Sequence, residues 1–144
     1  FTLDFDLRRS IHTAEMGTKY ILRPTIRIVD NAQAGRIAGK ILNIGNSEVC
    51  SQGAVYVFEG LGVTPDDVDG IAPDPIASAK AKDDGMGDCV YMVPFLAPGG
   101  YTVAFTWDAA SDDPAVDDAS VIFPFVADAT VTDMATTKVD VTLP

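Results

Sequence analysis

Residues 81–107 read AKDDGMGDCVYMVPFLAPGGYTVAFTW, and this stretch decides the fold class. It predicts an acidic glycine turn, a strand, a Pro-Gly-Gly turn and a second strand. Successive residues of a strand point to opposite faces, so the second strand carries two alternating sets of side chains. The apolar set is Tyr101, Val103, Phe105 and Trp107, and the opposite set is Thr102, Ala104, Thr106 and Asp108. This alternation predicts half-buried antiparallel sheet.

The composition favours an all-β protein. The chain has 144 residues, which suits one domain or one domain with an appendage. Hydrophobic residues make up 47% of it, enough for a core that needs neither a metal nor a dense disulfide framework. Asp greatly outnumbers Glu, and Gly, Pro and Thr are frequent. Good turn and strand formers therefore outweigh good helix formers.

Short strands separated by turn signals extend from residue 35 to residue 144. They are predicted at residues 36–43, 54–59, 76–81, 88–95, 101–107, 119–127 and 137–143. This spacing indicates a sandwich or a barrel. Apolar residues on both faces of 119–126 predict a strand that is covered on both sides. We expect an antiparallel, Ig-like or prealbumin-like sandwich of seven or eight strands over residues 35–144.

Residues 1–34 predict a two-stranded N-terminal arm, which ends at the polar break of residues 30–34. Residues 2–8 alternate, with Leu3, Phe5 and Leu7 on one side of the strand. Residues 19–29 predict one long strand. Pro24 in that strand lacks an amide donor and must lie at an edge or a bulge.

The body of the chain carries five short motifs in a recognisable order. They are GRIAGKI at 35–41, AVYV at 54–57, the acidic glycine turn at 83–87, LAPGGYTVAF at 96–105 and KVDVTL at 138–143. In this order they resemble the carboxypeptidase-regulatory-like modules, which have a transthyretin-like or prealbumin-like sandwich. A long Asp- and Pro-rich insertion around residues 64–75 departs from that pattern. The resemblance implies a non-catalytic module attached to an exported protein.

The arm carries a second resemblance. Residues 3–11 read LDFDLRRSI and residues 20–29 read YILRPTIRIV. These segments resemble the end of a DUF4382 domain, a family found in bacterial exported proteins and lipoproteins. Only the last two strands of that domain would be present in residues 1–34. The resemblance implies an extracellular or cell-surface location of the bacterial type, and a processed or truncated chain fits the start at Phe1.

The charge is strongly negative and unevenly distributed. The net charge of −11 argues against nucleic acid as a partner, because phosphate binding needs a basic face. Residues 1–43 contain seven Lys or Arg and four acidic residues, which gives a net charge of +3. Residues 44–144 contain three Lys or Arg and seventeen acidic residues, which gives a net charge of −14. This asymmetry favours either a solvated acidic surface or head-to-tail attraction between copies. No hydrophobic run is long enough to span a bilayer.

Two cysteines, Cys50 and Cys89, lie in or beside predicted strands. The exported setting favours an intrachain disulfide over two buried free thiols. On the chain-entropy account, closing that loop would contribute about 4 kcal/mol to stability.

Catalytic chemistry has little support in the sequence. His12 is the only histidine, and no Ser or Cys motif offers a nucleophile with a base and an orienting partner. Cys50, Cys89 and His12 lack the short spacing of zinc ligands. The acids crowd into turns without a matched pair for glycoside hydrolysis, and phosphate-binding loops are absent. We expect no enzymatic activity.

The sequence predicts no cofactor, and calcium is the one ion that the acidic loops leave possible. The candidate ligands are Asp66, Asp67 and Asp69 before Gly70, and Asp112, Asp113, Asp117 and Asp118 around Pro114. Clustered carboxylates on flexible loops suit calcium, although the spacing is not that of an EF-hand loop. Solvated turns are the preferred interpretation, because Asp stabilises turns through its own backbone contacts.

The sequence therefore predicts a structural or adhesive subunit that works outside the cytoplasm. Strands without a complete domain of their own pair with other sheet edges, and head-to-tail pairing between copies builds filaments. The predicted assembly residues are Leu3, Phe5, Leu7, Arg8 and Arg9. Three alternatives stay open: the arm folds back on its own sandwich, it is a remnant of an upstream domain, or the chain is an accessory module that binds carbohydrate, calcium or another cell-surface protein.

Overall fold

The computed structural model describes residues 1–14, 19–45, 49–117 and 120–144, and it shows an all-β protein. The strands are β1 (Thr2–Asp6), β2 (Ile11–Ala14), β3 (Lys19–Leu22), β4 (Thr25–Val29), β5 (Gly35–Leu42), β6 (Ala54–Glu59), β7 (Ala77–Lys80), β8 (Lys82–Asp83), β9 (Cys89–Leu96), β10 (Gly99–Thr106), β11 (Phe125–Val131), β12 (Thr136–Lys138) and β13 (Val141–Thr142). One helical turn, α1 (Leu7–Ser10), and two 3₁₀ turns (Cys50–Gln52 and Asp108–Ala110) accompany them. In these described stretches no helix is both long and apolar enough to cross a bilayer.

Two sheets form the body of the protein. The first has the strand order β11-β10-β6-β7, and all of its neighbours are antiparallel. The second has the strand order β12-β5-β9-β8, and β13 also pairs with β5. Within it, β9 is antiparallel to both β5 and β8. Both sheets contribute to one hydrophobic core, which includes Ile37, Val55, Val57, Tyr91, Val93, Val103, Phe105 and Val141. The predicted all-β, sandwich-like fold with antiparallel sheets is confirmed.

Strand β10 is buried on both faces, so the prediction of a half-buried strand was wrong. Thr102, Ala104 and Thr106 on its outer face are all fully buried. Two irregular segments, residues 60–76 and the described residues 107–117 and 120–124, cover that face and form a second core. This core contains Ala54, Tyr56, Phe58, Val68, Ala104 and Ala109, with Val63 and Phe123 packed against it. The threonines are tolerated there because their hydroxyls accept backbone hydrogen bonds, from Val63 N–H (3.0 Å) and Asp108 N–H (2.9 Å) respectively.

Two predictions near the C-terminal end of the chain need correction. The strand expected at 119–127 begins only at Phe125, after Pro124, and Phe123 packs on the second core instead of lying in a sheet. Ala119 lies outside the described residues. The strand expected at 137–143 is split into β12 and β13, and both run parallel to β5. Its inward residues are as predicted: Val141 and Leu143 are buried and Val139 packs on the core.

The arm forms two small antiparallel sheets of its own, β1 with β4 and β2 with β3. The strand predicted at 2–8 ends at Asp6, because α1 follows it. The single strand predicted at 19–29 is interrupted at residues 23–24, where Pro24 has no amide to donate. At this break Arg23 N–H donates to Ser10 O at 2.7 Å. The arm therefore pairs with itself.

The predicted disulfide between Cys50 and Cys89 is present, with Cα atoms 5.6 Å apart. Cys50 begins the 3₁₀ turn that leads into β6, and Cys89 is the first residue of β9. Since β6 and β9 belong to different sheets, the bond links the two layers of the sandwich.

Candidate functional site

The β1–β4 ribbon of the arm carries an apolar face that is turned to solvent. Its register places Leu3 opposite Ile28 and Phe5 opposite Ile26. Leu3 and Ile28 are 67% and 71% exposed, and Phe5 and Ile26 are 38% and 54% exposed. Phe1 continues the same row and is almost fully exposed. We call Phe1, Leu3, Phe5, Ile26 and Ile28 the arm face.

The opposite side of this ribbon is the less exposed one. Thr2, Asp4 and Arg27 are half-buried there, and Val29 is buried. Arg27 Nη2 donates to Asp4 Oδ2 at 2.5 Å, which couples β1 to β4 across that side. A cavity of about 360 Å³ lies between the arm and the sandwich, and the arm lines it with residues from both sides of the ribbon and from α1. Its lining residues are Asp4, Phe5, Leu7 and Arg27 of the arm and Ala77, Ser78, Lys80, Val93 and Pro94 of the sandwich. The polar side of the ribbon is thus the less exposed one, although Phe5 and Ile28 of the arm face also border grooves against the sandwich.

An outward apolar face is unusual for a soluble protein. Contiguous apolar patches of a few hundred square ångströms on a surface mark sites of contact with other molecules. An isolated two-stranded ribbon is also only marginally stable in water. The arm face therefore has the apolar exposure that is typical of a contact surface.

The predicted assembly residues fall into three groups. Leu3 and Phe5 lie on the arm face, whereas Leu7 is exposed on α1, beyond the end of β1. The side chains of Arg8 and Arg9 lie outside the described part of the chain. Ile26 and Ile28 were missed, although alternation in TIRIV places them on one side of β4.

The second ribbon, β2–β3, is also rich in exposed apolar residues. Tyr20 and Leu22 are largely exposed, and Ile11 and Ile21 are each 42% exposed. Ile11 pairs with Leu22 in its ladder. Apolar exposure therefore extends along the arm beyond the arm face.

A second candidate site brings together acids from the two loops that the sequence singled out. One carboxylate oxygen each of Asp67, Asp69 and Asp117 lies within 4.8 Å of the other two. Asp67 is buried, Asp69 is half-buried and Asp117 is exposed. We call these three residues the acidic cluster. Three carboxylates at this spacing are an arrangement that calcium can accept.

The other candidate calcium ligands have hydrogen-bonding roles in the fold. Buried Asp112 accepts the hydroxyl hydrogen of Tyr56 and the backbone N–H of Val68, the latter at 3.2 Å. Asp66 accepts the N–H of Asp67 at 3.1 Å, and Asp113 accepts that of Ala115 at 3.0 Å. Asp118 lies outside the described residues. Asp112 thus anchors the loop at 60–76 to the loop at 107–124.

Shifted pKa values mark contacts that hold turns and strands together. Backbone N–H groups of Met86 and Asp88 lower the pKa of Asp84 in the acidic glycine turn. The Asp88 carboxylate, 2.5 Å from Lys40 Nζ, raises the pKa of Lys40. Burial raises the pKa of the Tyr91 hydroxyl, which donates to Val139 O at 2.7 Å. Hydrogen-bonding partners thus explain the pKa shifts of Asp84 and Lys40, whereas burial explains that of Tyr91.

No protein-family profile matches this chain, and no curated protein does so either. The functional argument therefore depends on the geometry of the arm and of the acidic loops.

Proposed function

We propose that this chain is a non-catalytic structural or adhesive subunit that works outside the cytoplasm and associates with its own kind through the N-terminal arm. The observation that carries the proposal is the apolar arm face, whose five side chains are between 38% and 88% exposed in the single chain. The Cys50–Cys89 disulfide is compatible with an exported protein, since such bonds persist in oxidising compartments. The resemblance to exported carboxypeptidase-regulatory-like and DUF4382 domains supports the same setting.

Strand addition is one way in which the arm can assemble copies. In a two-stranded ribbon each strand has one unpaired edge, and such edges accept further strands. Head-to-tail contacts of this kind build a filament when the rotation between copies does not close. The basic first 43 residues and the acidic remainder would attract each other in such a contact, with Arg8 and Arg9 near acids of the neighbouring copy.

Substituting Phe5→Asp together with Leu7→Asp should abolish self-association and leave the sandwich folded. Phe5 is 38% and Leu7 60% exposed, and both lie in the arm outside the two hydrophobic cores, so the substitutions should spare the sandwich but place charges in the proposed contact. Light scattering after size exclusion and negative-stain microscopy would measure the association. Leu61→Asp is the matched control, because Leu61 is similarly exposed on a loop of the sandwich. An unmodified chain that stays monomeric at millimolar concentration would contradict the proposal.

A calcium-binding accessory module is the second candidate function. The observation in its favour is the acidic cluster, which unites residues from two loops about fifty positions apart in the chain. Under this reading the arm would join the sandwich to a larger exported protein, and calcium would stiffen the loops that cover β10.

Millimolar calcium should raise the melting temperature relative to a chelator if the acidic cluster binds the ion, because a ligand that binds only the native state stabilises it. Asp69→Asn should remove the increase, whereas Asp113→Asn, in the neighbouring turn, should keep it. Differential scanning calorimetry with and without calcium makes the measurement. An unchanged melting temperature, together with no heat of binding, would leave these loops as solvated turns.

A further inference from the structure

The arm face differs from an ordinary sheet edge in that it offers side chains as well as backbone groups. Its residues form two parallel rows across the ladder, Leu3 with Phe5 on β1 and Ile28 with Ile26 on β4. We propose that the arm faces of two copies pack against each other around a two-fold axis, so that two ribbons form a small four-stranded sandwich. This inference rests on the proposed function and names the contact that starts the assembly.

The chemistry of the face favours a copy of itself as the partner. Among the side chains described on this face none is charged, while the ribbon's ion pair, Arg27 with Asp4, lies on the opposite side. A face of aliphatic and aromatic groups gains most from a partner that is equally apolar. Under two-fold symmetry each patch meets the same patch, so one apolar surface satisfies both copies.

The amount of exposed surface also suits a dimer. The exposed fractions of the five side chains correspond to roughly 600 Å² of apolar surface per copy. A stable interface takes about 800 Å² from each partner, including its polar rim. The ribbon backbone can supply that remainder. The face is therefore large enough to hold two copies together without help from the acidic loops.

The chain's own sandwich covers this surface only in part. Phe5 and Ile28 border grooves between the ribbon and the sandwich, yet they remain 38% and 71% exposed. Turning the arm face inward would require the ribbon to rotate and expose buried Val29. A second copy covers the face without either change.

Ile28→Asp tests the contact directly. Ile28 is 71% exposed, so the change should leave the chain folded but raise the dimer dissociation constant at least about 100-fold, because an unpaired carboxylate would be buried among apolar groups. Sedimentation equilibrium from micromolar to millimolar protein measures that constant. Ile71→Asp is the matched control, since Ile71 is 64% exposed on the loop at 60–76, and Ile28→Leu preserves the apolar contact. Both controls should keep the dimer of the unmodified chain.

The outcomes separate this inference from the proposed function. A dimer that is lost with Ile28→Asp and kept in both controls supports the face-to-face contact. Association that survives Ile28→Asp but is lost with Phe5→Asp and Leu7→Asp overturns face packing and leaves assembly through the arm in place. Equal losses in Ile28→Asp and Ile71→Asp also overturn it, because charge alone would then explain the effect. A monomeric unmodified chain overturns both proposals.

Discussion

Replacing Gly39 with Ala should destabilise the protein by at least about 3 kcal/mol, because the new methyl group has no space and its neighbours are backbone atoms. A Cβ at Gly39 would lie 1.8 Å from the carbonyl oxygen of Val139 and 2.6 Å from its carbonyl carbon. Moving Val139 away would break the hydrogen bond from the Tyr91 hydroxyl to its carbonyl. It would also weaken the bond from Lys40 N–H to Asp140, at 3.0 Å, and the parallel pairing of β13.

Gly99→Ala supplies the matched control for this substitution. The nearest atom to a Cβ at Gly99 is 3.9 Å away, on Tyr101, and the position needs no left-handed backbone. The same chemical change there should be neutral or stabilise by about 0.4–1 kcal/mol, through the unfolded chain. Thermal unfolding should show a loss of about 10 °C for Gly39→Ala and no loss for Gly99→Ala. Similar melting temperatures for the two variants would mean that residues 139–140 are not held against β5.

Periodicity predicted the strands of the sandwich well and their environment less well. The alternation at 101–107 identifies β10, but it cannot reveal that the outer face of this strand is covered. That face is buried by Val68 and Phe123, which come from irregular segments without a periodic pattern. Only the tertiary path of those loops, anchored by the hydrogen bond from Tyr56 to Asp112, brings them over the sheet. Polar threonines on an apparently solvated face therefore gave a misleading signal.

The orientation of the arm could also be predicted only in part from the alternation of its residues. The sequence shows that Leu3 and Phe5 share one side of β1, and alternation in β4 could also have identified Ile26 and Ile28. It cannot show which side of the ribbon is the less exposed one. The ion pair on the less exposed side joins Asp4 and Arg27, which are 23 residues apart and meet only after β1 and β4 have paired.

The sequence predicted the acidic loops but not which of their carboxylates lie close together. Both Asp-rich loops were recognisable in the sequence, and three of their residues do come together. Which three could not be predicted, because neighbouring acids play different parts. Asp112 is buried and accepts hydrogen bonds from Tyr56 and Val68, whereas Asp117 is exposed to solvent.

Removing the disulfide by Cys50→Ala together with Cys89→Ala should lower the free energy of unfolding by about 4 kcal/mol. The bond closes a loop over 39 positions and ties the turn before β6 to the start of β9, so it restrains the unfolded chain and links both sheets of the folded one. Chemical denaturation with and without a reductant would measure the loss.

The reductant also separates the bond from the packing of its side chains. Cys89 is buried in the main core, so the double variant loses two sulfur atoms as well as the cross-link. Reduction of the unmodified chain removes only the cross-link and should account for most of the loss, while the double variant should not respond to the reductant. If the reduced and oxidised chains unfold at the same denaturant concentration, the two sheets are held by packing alone. Association through the arm should survive reduction in either case, because the arm face lies on β1 and β4 and contains neither cysteine.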